Sequence, residues 1–458
     1  MSQKGKQVVA VGENAREQGP KEIKLGGAYA WFVVFVLCLA AIIGYLDRQV
    51  INLLVDPIKA DLGINDTQIG LLQGFSFVII YVLVAIPLAW VADVGKRTTV
   101  ITAGVVCWSL ATFSCGLATS FIMLFMARAL VGMGEATLTP SGYSLIGDYF
   151  PKERVSLAIS IFTGAGFIGS GIAYMIGGAV VGALSGQESY AIPLLGEFKP
   201  WQLVFMIVAI PGLLLAVLFM FVKEPPRRNV VETDSAISAR QSFAALFGYV
   251  GKNVRLFGGI IVGLSLMVAA AYSIGSWVPT YLDRVHGWDT DIGGVRFGLV
   301  QLIAGPAGVF SGGVLASALM RRGLPSANLW VPIVAAMLAV IFTIAFPLSP
   351  TPEIALALLV PASFFCAMPF GCGTATLPLI APNRLRAQVV AIYLLVANLV
   401  GSTLGPTGVG VITDYVFRNE NMIGVSLAIV APALLFLGAL IVSIAVKPYR
   451  KVIVEAET

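Results

Sequence analysis

Tyr45-Leu46-Asp47-Arg48 lies in the first long apolar run of the chain, and Tyr281-Leu282-Asp283-Arg284 closes the seventh. Two further matches follow in the same order. Asp66-Thr67-Gln68-Ile69-Gly70 opens the second run, and Asp289-Thr290-Asp291-Ile292-Gly293 opens the eighth. Arg154 precedes the fifth run and Arg386 the eleventh, each with a Gly-Ser pair fifteen residues on, Gly169-Ser170 and Gly401-Ser402. Three matches in one order divide the chain into two related halves, residues 27–222 and 254–446. Residues 223–253 join them, opening Lys223-Glu224-Pro225-Pro226-Arg227-Arg228, and polar segments 1–26 and 447–458 flank the pair.

A helix needs about 20 apolar residues to cross a hydrocarbon layer of about 30 Å. The chain offers twelve such runs, near 27–54, 68–92, 98–119, 121–147, 155–183, 201–222, 255–282, 291–320, 326–347, 353–381, 387–414 and 423–446. Of the 458 residues 58% are hydrophobic and only 12% charged, with a mean hydropathy of +0.90, which excludes a water-soluble enzyme. The expected fold class is an all-α polytopic membrane protein of twelve helices in two six-helix bundles. Both termini and every second loop carry 21 Lys and Arg, against 4 on the opposite side. The excess of cations in cytoplasmic loops then puts the termini and the 223–253 linker in the cytoplasm, and the expected location is a bacterial inner membrane.

Charge and composition also exclude chemistry. The net charge of +5 resides in short loops between apolar runs, so no nucleic-acid partner is expected. A single His and five Cys buried in apolar runs give no metal site, triad or disulfide framework. No cofactor is expected, and no extramembrane stretch is long enough for an independent domain. The chain is read as a monomeric non-enzyme.

With six helices per half, both halves start on the same side, so the repeats are parallel about an axis along the membrane normal. That is the arrangement of major facilitator transporters, and local motifs agree. Ala89-Trp90-Val91-Ala92-Asp93-Val94-Gly95-Lys96-Arg97 resembles the major facilitator signature G-x-x-x-D-R-x-G-R-[RK], with Ala for the first Gly and one residue fewer between Asp and Gly. Arg128-Ala129-Leu130-Val131-Gly132-Met133-Gly134-Glu135-Ala136 is similar to the second motif, R-x-x-x-G-x-G-x-x. Together with Gly70-Leu71-Leu72-Gln73 and Asp148-Tyr149-Phe150-Pro151, these motifs and Tyr45-Leu46-Asp47-Arg48 resemble the Spinster family of lipid transporters. In the fifth run, Gly169, Ala173-Tyr174 and Gly177-Gly178 align with the antiporter signature G-x-x-x-G-P-x-x-G-G, but Ala-Tyr replaces Gly-Pro. That departure argues against a drug antiporter.

Ionisable groups inside apolar runs each cost at least about 2.5–3.5 kcal/mol and need a reason. They are Asp47 and Arg48 in the first run, Arg128 and Glu135 in the fourth, and Arg296 in the eighth. Counting from the run ends puts Asp47 and Arg128 at similar depth, with Glu135 about 10 Å along the same face as Arg128. Asp47 and Glu135 are the expected proton carriers, and Glu135 has no cation at i±4 on its own helix. Arg128 is the expected contact for an anionic headgroup, with Arg48 and Arg296 as further substrate contacts. The alternative is a static Asp47–Arg128 ion pair that fixes packing. Asp93, Lys96 and Arg97 are expected to form a gate lock, and His286 a solvated loop residue. The Gly166–Gly178 and Gly401–Gly410 stretches are expected to let helices approach closely.

Phe364, Phe365, Met368 and Phe370 either line an apolar wall of the cavity, or face lipid or pack between helices. A cavity charged in one half and apolar in the other suits an amphipathic or organic anion. The Spinster resemblance implies proton coupling through the acidic residues and cargo such as lysophospholipid or sphingosine 1-phosphate. The expected function is therefore proton-coupled transport of amphipathic anionic lipid by alternating access, with protons and membrane lipids as partners. An organic-anion or multidrug transporter, or a transporter-like sensor, stands as the alternative.

Overall fold

The computed structural model describes residues 25–193, 196–227, 246, 248–382 and 385–457. Almost all of the expected 1–26 segment and most of the 223–253 linker lie outside the described residues. Twelve helices are long and apolar enough to cross a membrane: span 1 Ala28–Leu53, span 2 Asp66–Ala85, span 3 Arg97–Cys115, span 4 Phe121–Tyr149, span 5 Lys152–Leu184, span 6 Pro200–Met220, span 7 Val254–His286, span 8 Thr290–Arg321, span 9 Ala327–Leu348, span 10 Pro352–Ile380, span 11 Gln388–Phe417 and span 12 Glu420–Ile453. Within hydrocarbon every backbone group must find its partner inside the chain, which is why such runs become helices.

Irregularities sit where the sequence interferes with helical hydrogen bonding. Span 4 breaks after Glu135 and resumes at Leu138. Pro140 lacks the N–H that would bond the carbonyl of Ala136. Span 1 ends in a 3₁₀ turn, Val50–Leu53, and continues into a short helix, Val55–Leu62. Span 2 contains a π-helical turn, Leu71–Phe75. An antiparallel hairpin, β1 (Tyr190–Ile192) and β2 (Gly196–Phe198), is an exception to the all-α reading. The last helix runs on to Glu457, past the expected end at 446.

The halves repeat their packing. Spans 1 and 5, 2 and 4, and 3 and 6 pair in the first half; spans 7 and 11, 8 and 10, and 9 and 12 pair in the second. Between halves, span 5 packs on span 8 and span 2 on span 11. Both contacts are backbone-close because glycine supplies no side chain. A Cβ on Gly171 would lie 2.7 Å from the carbonyl oxygen of Gly298, and one on Gly74 only 1.6 Å from that of Ser402.

One repeat assignment is corrected. Gly169 packs on Ile42 of span 1, and Gly401 packs on Val268 of span 7. Six residues beyond these anchors lie Arg48 and Ile274, so Ile274 is the packing counterpart of Arg48. Arg284 lies ten residues further along, about 15 Å at 1.5 Å per residue. The second Tyr-Leu-Asp-Arg therefore sits near the end of the bundle remote from the termini, called here the far face; the face carrying the termini is the near face.

Candidate functional site

The halves enclose a cavity of about 310 Å³. Tyr45 and Gln49 of span 1 and Phe167 of span 5 line one side; Gln301 of span 8, Phe370 of span 10 and Asn398 of span 11 line the other. Of the four residues considered for an apolar wall, Phe370 is there. Phe364, Phe365 and Met368 pack instead in a cluster with Ala316, Val331 and Cys372, between helices.

Four of the expected charges come together behind Tyr45. Arg48 forms an ion pair with Glu135 and stacks over the Phe77 ring at 4.2 Å and near Tyr45 at 5.3 Å. Its side chain is 18% exposed, more than any other member of the cluster; it does not itself line the cavity but lies against Tyr45, which does. Glu135 thus has a partner, from span 1 rather than from its own helix.

Arg128 is placed differently from expectation. It is fully buried and donates to three main-chain carbonyls, those of Asp47 (2.9 Å), Arg48 (3.1 Å) and Leu72 (3.4 Å). These carbonyls lie just before the 3₁₀ turn of span 1 and in the π turn of span 2, where regular hydrogen bonding fails. The guanidinium fork supplies the missing donors. It makes no hydrogen bond to the Asp47 carboxyl, which is fully buried and forms no ion pair among the described residues. The Asp47–Arg128 side-chain pair is corrected accordingly.

Arg296 is not deep. It is exposed in the second turn of span 8, with its guanidinium 4.1 Å from the centre of the Trp288 ring, and it does not line the cavity. The expected substrate contact there is also corrected: the apolar run begins before the helix is deep, and Trp288 holds the cation at the rim. His286 likewise departs from a solvated loop residue, since its Nε2 lies 2.7 Å from the Tyr281 hydroxyl.

On the near face, Arg97 is buried and joins three segments. It pairs with Asp148 at the end of span 4 and with Glu224 at the start of the linker (2.7 Å), and it donates to Ser144 Oγ (2.9 Å). Lys96 is exposed at the helix start, and the Asp93 side chain lies outside the described residues. Glu224 also accepts from the Thr98 main-chain N–H. Burial pushes the Glu224 carboxyl up, but the hydrogen bonds from Thr98 and Arg97 outweigh it and hold the group below the usual carboxylate range.

The far face carries a lock of ion pairs between the halves. Arg284 of span 7 forks onto Asp66 of span 2 (2.8 and 2.9 Å) and reaches Asp56 (2.6 Å). Lys59 reaches Asp66 at 2.6 Å and Glu420 at 2.9 Å. Asp414 of span 11 caps span 2 from the opposite half, accepting from the Thr67 N–H (2.6 Å) and hydroxyl (2.7 Å). Below the lock, the Tyr174 hydroxyl donates to the Gly275 carbonyl at 2.6 Å and Gln73 donates to that of Ser276 at 3.1 Å, so both latch onto span 7. The Ala-Tyr that replaces Gly-Pro in span 5 therefore supplies a bond between halves.

Two repeated helical bundles around a central cavity, closed on one face by ion pairs, define a membrane carrier of the secondary-transporter class. The sequence profile of the Major Facilitator Superfamily matches residues 37–406, and the chain belongs to that family. Its fold superposes with a TM-score of 0.76 on a bacterial homologue of the human lysosomal transporter Spinster in an inward-facing, unoccupied conformation, at 27% identity over 93% of this chain and 97% of that one. It is 27% identical to an MFS-type efflux pump of Mycolicibacterium smegmatis over 97% of both chains. It is 28% identical to the sphingosine-1-phosphate transporter SPNS2 of Mus musculus over 55% of this chain and 43% of that protein.

Proposed function

We propose that the protein is a proton-coupled carrier of amphipathic anionic lipids of the lysophospholipid type, working by alternating access. The observation that carries this reading is the Arg48–Glu135 pair behind the cavity-lining Tyr45, next to a fully buried Asp47 carboxyl that forms no ion pair among the described residues. A proton on Glu135 releases Arg48, whose planar fork then holds a phosphate or carboxylate. Proton and substrate anion thus exchange places at one cation, and the coupling is reciprocal: a bound anion favours proton uptake by Glu135. Asp47 is the second proton site. Arg128 acts as a positioning residue that holds the irregular turns of spans 1 and 2, and Arg48 takes over the headgroup contact.

The similarity to Spinster proteins supports the lipid substrate, and the apolar Phe167 and Phe370 supply surface for a chain. Residues 27–222 and 254–446 are the bodies that rock. The charge asymmetry supports a near face in the cytoplasm of a bacterial inner membrane, so the closed far face corresponds to an inward-facing state. A second reading, transport of a hydroxylated organic anion, is favoured by the amides Gln49, Gln301 and Asn398 on the cavity wall. Uptake into proteoliposomes of lysolipids, sugar acids and drugs, with and without a pH gradient, tests both. Gradient-dependent lysolipid uptake is expected; gradient-independent uptake, or drugs alone being carried, would overturn the proposal.

A further inference from the structure

The carrier reading uses the charges behind Tyr45 and leaves the polar wall on the opposite side of the cavity unexplained. There the second half presents Gln301, Asn398 and Ser363, while Gln49 faces them from span 1. Their hydrogen-bonding capacity can be counted. Gln49 Oε1 already accepts from Asn52 (2.7 Å), which leaves its N–H groups for the cavity. Asn398 donates to the Leu394 carbonyl at 2.8 Å, which leaves its carbonyl oxygen. Ser363 is 6% exposed and its hydroxyl has no partner. Some buried hydroxyls of the spans, such as Ser265, Ser273, Thr343 and Ser402, donate to the carbonyl four residues back. Those of Ser109, Thr112, Ser141 and Ser363 do not, and of these four Ser363 lines the cavity.

An anion alone satisfies only donors. Arg48 and the Gln49 N–H groups suffice for it, whereas the Asn398 carbonyl oxygen requires a donor, and Ser363 is completed by a group that both donates and accepts. We propose that this wall is a subsite for a hydroxyl or N–H group carried by the substrate a few ångströms from its acid group. The proposal rests on the anion-carrier reading and narrows its substrate class. Simple fatty carboxylates and apolar drugs lack the second group; a lysolipid with a free glycerol hydroxyl and a sugar acid both have it. A substrate without that group leaves the buried Ser363 hydroxyl unpaired, and such pairing discriminates strongly.

The test uses two matched pairs in proteoliposomes: lysophosphatidate against its 2-deoxy analogue of equal chain length, and a hexuronate against a deoxy counterpart. The arm that is transported identifies the source of the hydroxyl. Wild type should show a KM about 5- to 100-fold lower for the hydroxylated member. In Ser363→Ala, a nearly isosteric change, and in Asn398→Leu, the ratio of the two KM values should fall toward one. Equal KM values in wild type, or a ratio unchanged in both variants, would overturn the subsite alone. Transport of neither pair would overturn the carrier reading, and the subsite with it.

Discussion

Replacing Arg284 by Gln should open the far face. In the closed state Arg284, 7% exposed, holds the fully buried Asp66 with two hydrogen bonds and also Asp56, which is 36% exposed. Breaking a buried pair by removing one partner costs about 3–5 kcal/mol. The bond that Lys59 keeps to Asp66 reduces the loss, and the exposed Asp56 contact adds only about 0.5 kcal/mol. A net of about 2–3 kcal/mol remains. When the halves part at this face, water solvates the same groups, so the loss falls on the closed state alone. The closed-to-open ratio should drop about 30- to 150-fold. Spin labels at the exposed Ala60 and Asn421, on opposite halves, report it by pulsed electron resonance in nanodiscs. Arg284→Gln should shift the distance distribution to a longer population, and adding Asp66→Asn should reverse part of the shift, because no buried carboxylate is then left with Lys59 as its one remaining cation. Superimposable distributions in wild type and Arg284→Gln would refute the lock.

Three further outcomes are expected. Arg128→Lys keeps the charge but cannot serve three carbonyls in the same geometry, so it should lower detergent thermal stability as well as transport, by about 2–3 kcal/mol; unchanged stability with lost substrate binding would return Arg128 to the headgroup. Gly74→Ala forces spans 2 and 11 apart, since its Cβ would lie 1.6 Å from the Ser402 oxygen, and far-face cysteines should label faster; unaltered labelling would contradict the close approach. The linker start should undock in acid. Glu224 is held below its free value, so docking is fully favoured above that value and is lost as pH falls through the docked one. Hydrogen exchange at the Thr98 amide, corrected for intrinsic rate, should therefore accelerate as pH falls below the usual carboxylate range in wild type and show no such step in Glu224→Gln; a step in both would remove Glu224 from the account.

The spans were legible because apolar runs of membrane length leave the backbone one solution. The deep charges were equally conspicuous, since ions inside such runs stand out. Their pairing was not legible. Asp47 and Arg48 are neighbours about 100° apart on one helix, and depth along the sequence cannot say which of them faces span 4. Only the rotation of span 1 sends Arg48 to Glu135 and leaves Asp47 alone. Arg284, Lys59 and Asp66 flank apolar runs and therefore read as loop charges; tertiary packing buries them against each other. The tetrapeptide at 281–284 misled for a related reason: residue identity matched, but the longer connection after span 1 shifts the register. The amide wall was invisible because Gln, Asn and Ser occur on any face of a helix. Tyr174 was flagged as a departure from a motif, and its hydroxyl proved to be a bond between halves.

The central claim is that a proton and an anion exchange at the Arg48–Glu135 pair. Proton uptake on substrate binding measures it directly: purified protein in weakly buffered detergent solution with a pH indicator, titrated with lysophosphatidate. Wild type should take up protons in proportion to the anion bound, and Glu135→Gln should bind the anion with that uptake lost. Equal uptake in both proteins, or saturating binding to wild type with none, would contradict the account.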